Sequence, residues 1–330
     1  MAAENHNPVR FAVGVEVDAL RVRACLYRAD QEQLAKFRFS TKWERGPDVV
    51  MARIARCVRT VVDEADLQLS QVVAVGVGVS GVVEPGTGTV LRLLQPGWSG
   101  YPLQAKLVAD LGLPVIVGNA GMMAARAAQA IDLPGETGRV LAVFQGPGIT
   151  GGLLEQGKPV GDPELPFLPL THLPLDPNGP LCACGQRGCL DSLAGGVAIL
   201  RLLREAMDQG RTTCLAGHDL LGVGDWRKAA KRGDPLALEL AQTTARYLGL
   251  ALAKWLPLWQ PLHVLLGGNI WEAAAEIMLP VARDTVLQEL GPGSLDQVTF
   301  AVSQLGKAAG TVGAACAALE SVTVAPSTAA

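Results

Sequence analysis

Eight consecutive residues drawn only from valine, alanine and glycine, Val72 to Val79, constrain the fold more than any other stretch of this chain. A strand with one face in water alternates apolar and polar residues, whereas this one offers no polar face and must be covered on both sides. Upstream, Phe11 to Val17, Arg21 to Tyr27 and Gln33 to Phe39 are β-branched or alternating in character and predict three more strands, with a short turn near Asp30. A helix is expected from about Pro47 to Ala65. A second copy of the opening begins at Val140, where Val-Leu-Ala-Val-Phe enters Gly146-Pro-Gly-Ile-Thr-Gly-Gly152 and returns through Leu153 to Gln156. Strands of this kind interleaved with helices imply an α/β protein.

Further along, helices are expected over about Gly188 to Met207, Pro235 to Leu256, Trp271 to Leu290 and Lys307 to Leu319, and strands over Leu262 to Leu266 and Val298 to Val302. Leu236, Leu238, Leu240, Leu248, Leu250 and Leu252 cover so much of one helix that it should be largely buried. The last helix is rich in Gly and Ala, which favours tight packing. At 330 residues and 49% apolar composition, the chain can build two domains. No stretch approaches the roughly 20 apolar residues of a membrane span, and no basic-then-apolar leader opens the chain, so a soluble cytoplasmic protein is expected. The formal charge of −3 argues against broad attraction to nucleic acid.

The seven cysteines suit a reducing compartment better than a disulfide framework, and three of them are grouped. Cys182-Ala-Cys184-Gly-Gln-Arg-Gly-Cys189, with His172 ten residues before, supplies one imidazole and three thiolates, the set that completes a tetrahedral zinc shell. Four protein ligands leave no open position for a reactive water, so a structural zinc is expected, within an insert at residues 161–192. The alternative is three buried free cysteines in a loop.

The arrangement His-x9-Cys-x-Cys-Gly-x-x-Gly-Cys-x-acid also resembles that of the ROK family of sugar kinases and sugar-responsive repressors. Further segments agree in order: Val13-Gly-Val-Glu-Val, Gly76-Val-Gly-Val-Ser-Gly with Pro96-Gly-Trp98, Leu113-Pro-Val-Ile-Val-Gly-Asn119, Val264-Leu-Leu-Gly-Gly268, and Leu305-Gly-Lys-Ala-Ala-Gly-Thr-Val-Gly-Ala-Ala. The resemblance spans roughly residues 11 to 320. It implies two ribonuclease-H-like domains of the actin, hexokinase and Hsp70 type with a cleft between them. The first would comprise residues 1–118 plus 306–330, and the second, larger one residues 119–305 with the zinc insert. It implies a homodimer as well.

The resemblance also locates the chemistry, and there the chain departs from the family. The family's catalytic base is the Asp of an Asn-Asp-Ala-Asn segment; aligned on Leu113-Pro-Val-Ile-Val, its first Asn is Asn119, the base is Ala120 and the second Asn is Met122. A methyl group accepts no proton, and no Asp or Glu occurs between Asp110 and Asp132. The sugar-binding Glu of a Glu-x-Gly-His segment becomes Pro169, although the His remains as His172. The acid after the last cysteine is Asp191 rather than Glu, and the Asn of Asn-x-Gly-Trp becomes Gln95. Each lost charged hydrogen bond is worth about 1.5–3 kcal/mol, so two lost contacts weaken hexose binding on the order of 100-fold or more.

The family's magnesium and phosphate loop Asp-x-Gly-Gly-Thr reads Glu16-Val-Asp18-Ala19-Leu20, which places a negative charge where phosphate would sit. The second phosphate loop reads Gly146-Pro147-Gly148-Ile149-Thr150, and Pro147 deletes a hydroxyl and a backbone donor together. Gly267-Gly268, where the family contacts adenosine, is intact, though a tight strand-to-helix turn explains the pair equally well. The resemblance thus yields Gln95, Asn119, His172 and Asp191 as sugar-side candidates and Glu16, Gly146, Gly148, Gly267 and Gly268 as nucleotide-side candidates, with no catalytic base.

Two bland explanations remain open at this level: a wrong register, or other side chains in the same roles. The expectation is a sugar-kinase homologue deficient in phosphotransfer, kept for binding a sugar, a sugar-derived ligand or a protein. The alternative is an active ATP- and Mg2+-dependent hexose or N-acyl-hexosamine kinase with a relocated base. A sugar-responsive regulator ranks third: family repressors carry their DNA-binding domain ahead of the first strand, and ten residues precede Phe11 here, so no direct DNA binding is expected.

Overall fold

The structure is a computed structural model and describes residues 10–18, 20–30, 32–93, 97–160, 168–218, 221–261 and 263–323. The chain divides into two compact units, one running to Ala124 and resuming at Gly310, the other comprising Ala125–Ala309.

In the first unit, β1 (Phe11–Val17), β2 (Arg21–Arg28) and β3 (Glu32–Ser40) form an antiparallel meander, followed by α1 (Pro47–Asp63) and β4 (Val72–Val79). A small hairpin, β5 (Val82–Val83) and β6 (Val90–Arg92), precedes α2 (Leu103–Leu111), β7 (Val115–Asn119) and the first residues of α3 (Ala120–Asp132), whose remainder from Ala125 belongs to the second unit. The sheet order is β3-β2-β1-β4-β7, with β4 and β7 parallel to β1. The Val/Gly run is therefore an inner strand, and its two faces differ. Val75, Val77 and Val79 pack with Val50, Ile54 and Val58 of α1 and with Leu103 and Leu107 of α2. Ala74, Gly76 and Gly78 form the other face, against helices that approach to backbone distance.

The second unit repeats this order. β8 (Val140–Gln145) and β9 (Ile149–Glu155) form a hairpin that β10 (Lys158–Pro159) extends. Then follow α4 (Leu168–Thr171), α5 (Leu190–Ala194), α6 (Gly196–Asp208), α7 (Val223–Lys231), α8 (Pro235–Trp259), β11 (His263–Gly267), α9 (Trp271–Leu290) and β12 (Thr299–Val302). The sheet order β10-β9-β8-β11-β12, with β11 and β12 parallel to β8, matches that of the first sheet position by position. Its core joins Leu141, Val143, Val264 and Leu266 to α8, whose Leu236, Leu240, Leu248 and Leu252 are buried as expected.

α10 (Ala309–Thr323) belongs to the first unit. A side chain at Gly14 would overlap the Thr311 carbonyl, and one at Gly76 the Ala314 carbonyl, so the helix lies directly on β1 and β4. The Gly- and Ala-rich composition of this helix meets small residues on the sheet.

Several boundaries differ from the sequence reading. The helix expected over 188–207 is two, because Gly195 takes an extended conformation (ψ 164°) and restarts the chain as α6. The last helix begins at Ala309, after a single 3-10 turn at Gly306–Ala308. α2 and α7, both short, and the β5–β6 hairpin were not anticipated. Trp98 is 1% exposed and packs edge-on against Trp43 (5.2 Å) and beside Tyr101 (5.0 Å), a core arrangement. His263 is satisfied by Glu136 (2.9 Å) and Thr299 (2.6 Å), as a structural histidine should be.

Asp234 fixes the start of α8. Its Oδ1 accepts the Ala237 N–H (2.9 Å), while Oδ2 accepts the Cys214 N–H (2.7 Å) and the Thr213 hydroxyl (3.0 Å). Burial pushes this carboxyl up, but these donors outweigh it and hold the group below its ordinary value. A depressed carboxyl stabilises fully above the unfolded-state value and loses that contribution as pH falls through the folded one. Asp234→Ala is expected to cost about 2 kcal/mol at neutral pH in denaturant unfolding, with a smaller difference in acid.

Candidate functional site

Asn119 ends β7 and caps α3. Its Oδ1 accepts the Met122 N–H (3.0 Å) and its Nδ2 donates to the Gly81 carbonyl (3.0 Å), so both ends of the amide are engaged within the first unit. The next residue, Ala120, is 1% exposed and faces Gly78 of β4, where an added Cβ would lie 2.9 Å from the Ala120 Cα. Met122 and Met123 are buried beside it, and Met123 also packs over Gly118. The carboxyl ends of the parallel strands β4 and β7 therefore meet the Ala120 methyl group and the Met123 thioether, neither of which accepts a proton.

The β1–β2 turn already holds an anion of its own. Asp18 Oδ1 accepts the N–H groups of Leu20 (2.7 Å) and Arg21 (2.8 Å), and Oδ2 accepts from Arg23 Nη2 (2.7 Å). Arg23 also pairs with Glu16 Oε2 (3.0 Å). Burial pushes the Glu16 carboxyl up; Arg23 opposes this and the nearby Asp18 adds to it. From the other side, the Asp18 carbonyl accepts from the Thr41 hydroxyl (2.9 Å) and the Trp43 indole (3.1 Å). The Leu20 and Arg21 backbone donors of this turn are thus occupied by a carboxylate two and three residues away. Leu20 stands 57% exposed at the tip.

In the second unit the β8–β9 turn is committed in the same way. Gly146 N–H donates to the Gly148 carbonyl (2.8 Å), Pro147 has no donor, and Ile149 N–H donates to Asp191 Oδ1 (2.7 Å). The first amides of α6 are spent on this turn: Gly196 donates to the Gly146 carbonyl (2.9 Å) and Val197 to that of Pro147 (3.0 Å). A helix N-terminus is a natural anion site, and here its donors serve the loop instead. Asp191 is the acid that the sequence singled out. Burial raises its carboxyl, against the Ile149 hydrogen bond and the nearby His172.

His172 follows α4, and Cys189 directly precedes α5. Between them the chain folds as a knuckle: Cys182 N–H donates to the Gln186 carbonyl (2.7 Å), Gly185 N–H to that of Cys182 (2.9 Å), and bridges join Leu181 to Arg187 and Pro174 to Cys189. The ligand atoms of His172, Cys182, Cys184 and Cys189 all lie within 4.8 Å of one another, with His172 Nδ1 3.4 Å from the Cys182 sulfur and those of Cys184 and Cys189 3.6 Å apart. Burial lowers the His172 pKa, against Asp191, which favours the neutral imidazole that a metal ligand requires. One nitrogen and three sulfurs at these separations fit a tetrahedral ion of zinc's size and softness.

Gln95 lies outside the described residues, as does the side chain of Pro169. Sequence reasoning missed Gln145, the one polar residue in an apolar strand. Fully buried, it donates to the Ala194 carbonyl (3.0 Å) and accepts from the Trp271 indole, tying α5 and α9 to the end of β8. Its polarity at the end of Val-Leu-Ala-Val-Phe was the available signal. The Gly267-Gly268 turn has a structural reason of its own: Gly268 adopts φ +94°, and a Cβ there would overlap the Gln145 carbonyl. Gly268→Ala is expected to lower stability by roughly 2 kcal/mol, read as a lower unfolding midpoint, with no change expected from Gly157→Ala beyond its own turn strain of about 1 kcal/mol.

The model of the ROK family matches residues 12–321. The glucokinase of Halalkalibacterium halodurans is 26% identical over 309 residues, 92% of this chain and 93% of that protein. The glucokinase of Thermotoga maritima is 28% identical over 308 residues, 92% and 95% of the two chains. Among solved structures, a ROK family glucokinase from Streptomyces griseus in complex with glucose and AMPPNP superposes with a TM-score of 0.82 at 26% identity, covering 94% of this chain and 99% of that one. Two sheets of matching order, the His/Cys knuckle and a family match over nearly the whole length lead to one conclusion: the chain belongs to the ROK family, as a homologue of its sugar kinases.

Proposed function

We propose that this chain is a ROK sugar-kinase homologue that has lost efficient phosphotransfer and is retained for binding a sugar, a sugar-derived ligand or a protein. The observation that carries the reading is Ala120, buried at the start of α3 with Met122 and Met123, in the position of the family's base. The β1–β2 and β8–β9 turns support it, because the N–H groups of Leu20, Arg21, Gly146 and Ile149 are bonded within the protein and are not offered to the phosphate oxygens of a nucleoside triphosphate. No phosphoryl-transfer step is assigned. On the sugar side, Asp191, held by the Ile149 N–H and close to His172, is the group suited to accept a hydrogen bond from a polyol hydroxyl. The domain division at 118/119 and 305/306 and a homodimer remain parts of the same proposal.

A second reading, an active kinase, draws on the likeness to glucokinases along nearly the full length and to a structure that holds glucose and AMPPNP. It requires another base. ADP release with Mg-ATP over a panel of hexoses and N-acyl-hexosamines separates the two readings. The expected result is no sugar-dependent turnover above background, since loss of a general base costs about 10²–10⁴-fold. Sugar-dependent turnover by the unmodified protein refutes the proposal, whereas turnover that appears only in an Ala120→Asp, Pro169→Glu variant supports the assigned register.

The knuckle is proposed to hold a structural zinc through His172, Cys182, Cys184 and Cys189, where the ion would clamp the loop and leave no site for water. Burial pushes the Cys189 thiol up to about 12, so the cation must displace a proton to bind. Metal analysis of the purified protein is expected to give zinc, retained at neutral pH and released on acidification or with a strong chelator, with a fall in unfolding temperature. Cys184→Ala should bind less zinc and melt at the chelated value.

A further inference from the structure

The outer edge of the first sheet carries a surface apart from the candidate site residues. β3 is the terminal strand, paired with β2 on one side, and among the described residues no strand pairs with its other side. Between β3 and α1 runs a groove of about 370 Å³ lined by Phe39, Asp48, Val49, Ala52, Arg53 and Arg56. Its floor is apolar, and its rim carries two guanidinium groups and the Asp48 carboxylate, which Lys106 neutralises. Arg53 Nη1 donates to the Ser40 carbonyl (3.0 Å), and Arg56 lies over the Phe39 ring at 5.0 Å. Among the described residues neither meets a carboxylate. Their neighbours do: Arg59 pairs with Asp110 (3.1 Å), and Lys106 pairs with Asp48 (2.8 Å).

Charge is concentrated here against the trend of the molecule. Residues 32–59 contain seven Lys and Arg and three Asp and Glu, in a chain of formal charge −3. An unpaired strand edge beside a helix is the geometry in which an extended peptide adds a strand, with main-chain hydrogen bonds giving affinity and the groove selecting side chains. We propose that the β3 edge and this groove dock an extended acidic polypeptide segment, one apolar side chain resting against Phe39 and Val49 and its carboxylates meeting Arg53 and Arg56. Positive potential along the edge selects this partner and speeds its encounter. It also disfavours a second copy of the chain, because antiparallel pairing of β3 with itself centred on Phe37 sets Lys36 against Arg38 of the copy.

The test uses the whole protein and a short fluorescein-labelled peptide of alternating Val and Glu, followed by anisotropy and by amide exchange. Saturable binding that weakens with salt, slowed exchange over residues 33–39, and a loss of affinity on the order of tenfold or more in Arg53→Glu, Arg56→Glu are expected. A peptide with Lys for Glu, and one with Pro for alternate Val, should both fail to bind; these controls need no change to the protein. Equal binding of the acidic and basic peptides, or protection confined to segments other than β3, overturns the proposal. So does tighter binding of single-stranded DNA than of the acidic peptide, or a dimer that Arg53→Glu, Arg56→Glu dissolves.

Discussion

Helix α10 lies on the first sheet at backbone contact, and much else depends on that approach. It is possible only because Gly14 and Gly76 carry no side chain where α10 crosses β1 and β4, while Val75, Val77 and Val79 build a conventional aliphatic core on the other face. The same bare face admits the start of α3, so that Ala120 and Met123 sit against Gly78. A side chain on these strand positions would have to displace helix backbone, which is far less compliant than a rotamer. The scaffold of the site is therefore set by what is missing from the sheet.

On that scaffold the polar chemistry has turned inward. Asn119 spends its amide capping α3 and bonding Gly81. Asp18 takes the donors of its own turn, and Asp191 takes the Ile149 N–H. Asn119 and Asp18 are satisfied without a ligand, and a buried polar group that already has its partners gains little by exchanging them. The knuckle of His172, Cys182, Cys184 and Cys189 is built differently, with four ligand atoms gathered within 4.8 Å of one another.

The family resemblance locates positions but says nothing of whether they are free. Asp18 illustrates the difference. As a sequence change it is an added negative charge; in the structure that charge is neutralised by Arg23 and two N–H groups, which makes the turn stable instead of merely repulsive. Gly268 illustrates the reverse, since its positive φ and contact with Gln145 account for the glycine whether or not an adenosine approaches.

From the sequence alone came the α/β class, the duplicated strand pattern, the buried Val72–Val79 strand, the four-residue His/Cys set and the absence of a carboxylate between Asp110 and Asp132. These are matters of period, composition and residue type, which are local and survive without coordinates. The tertiary structure decided the rest. It broke the helix at Gly195, where ψ of 164° lets α6 restart beneath the Pro147 turn, and it buried Gln145 between Ala194 and Trp271. It also showed which donors are spent and left the β3 edge open beside the Phe39 groove. Such facts depend on groups distant in the chain competing for the same hydrogen bond or the same volume, and no local pattern encodes the outcome of that competition.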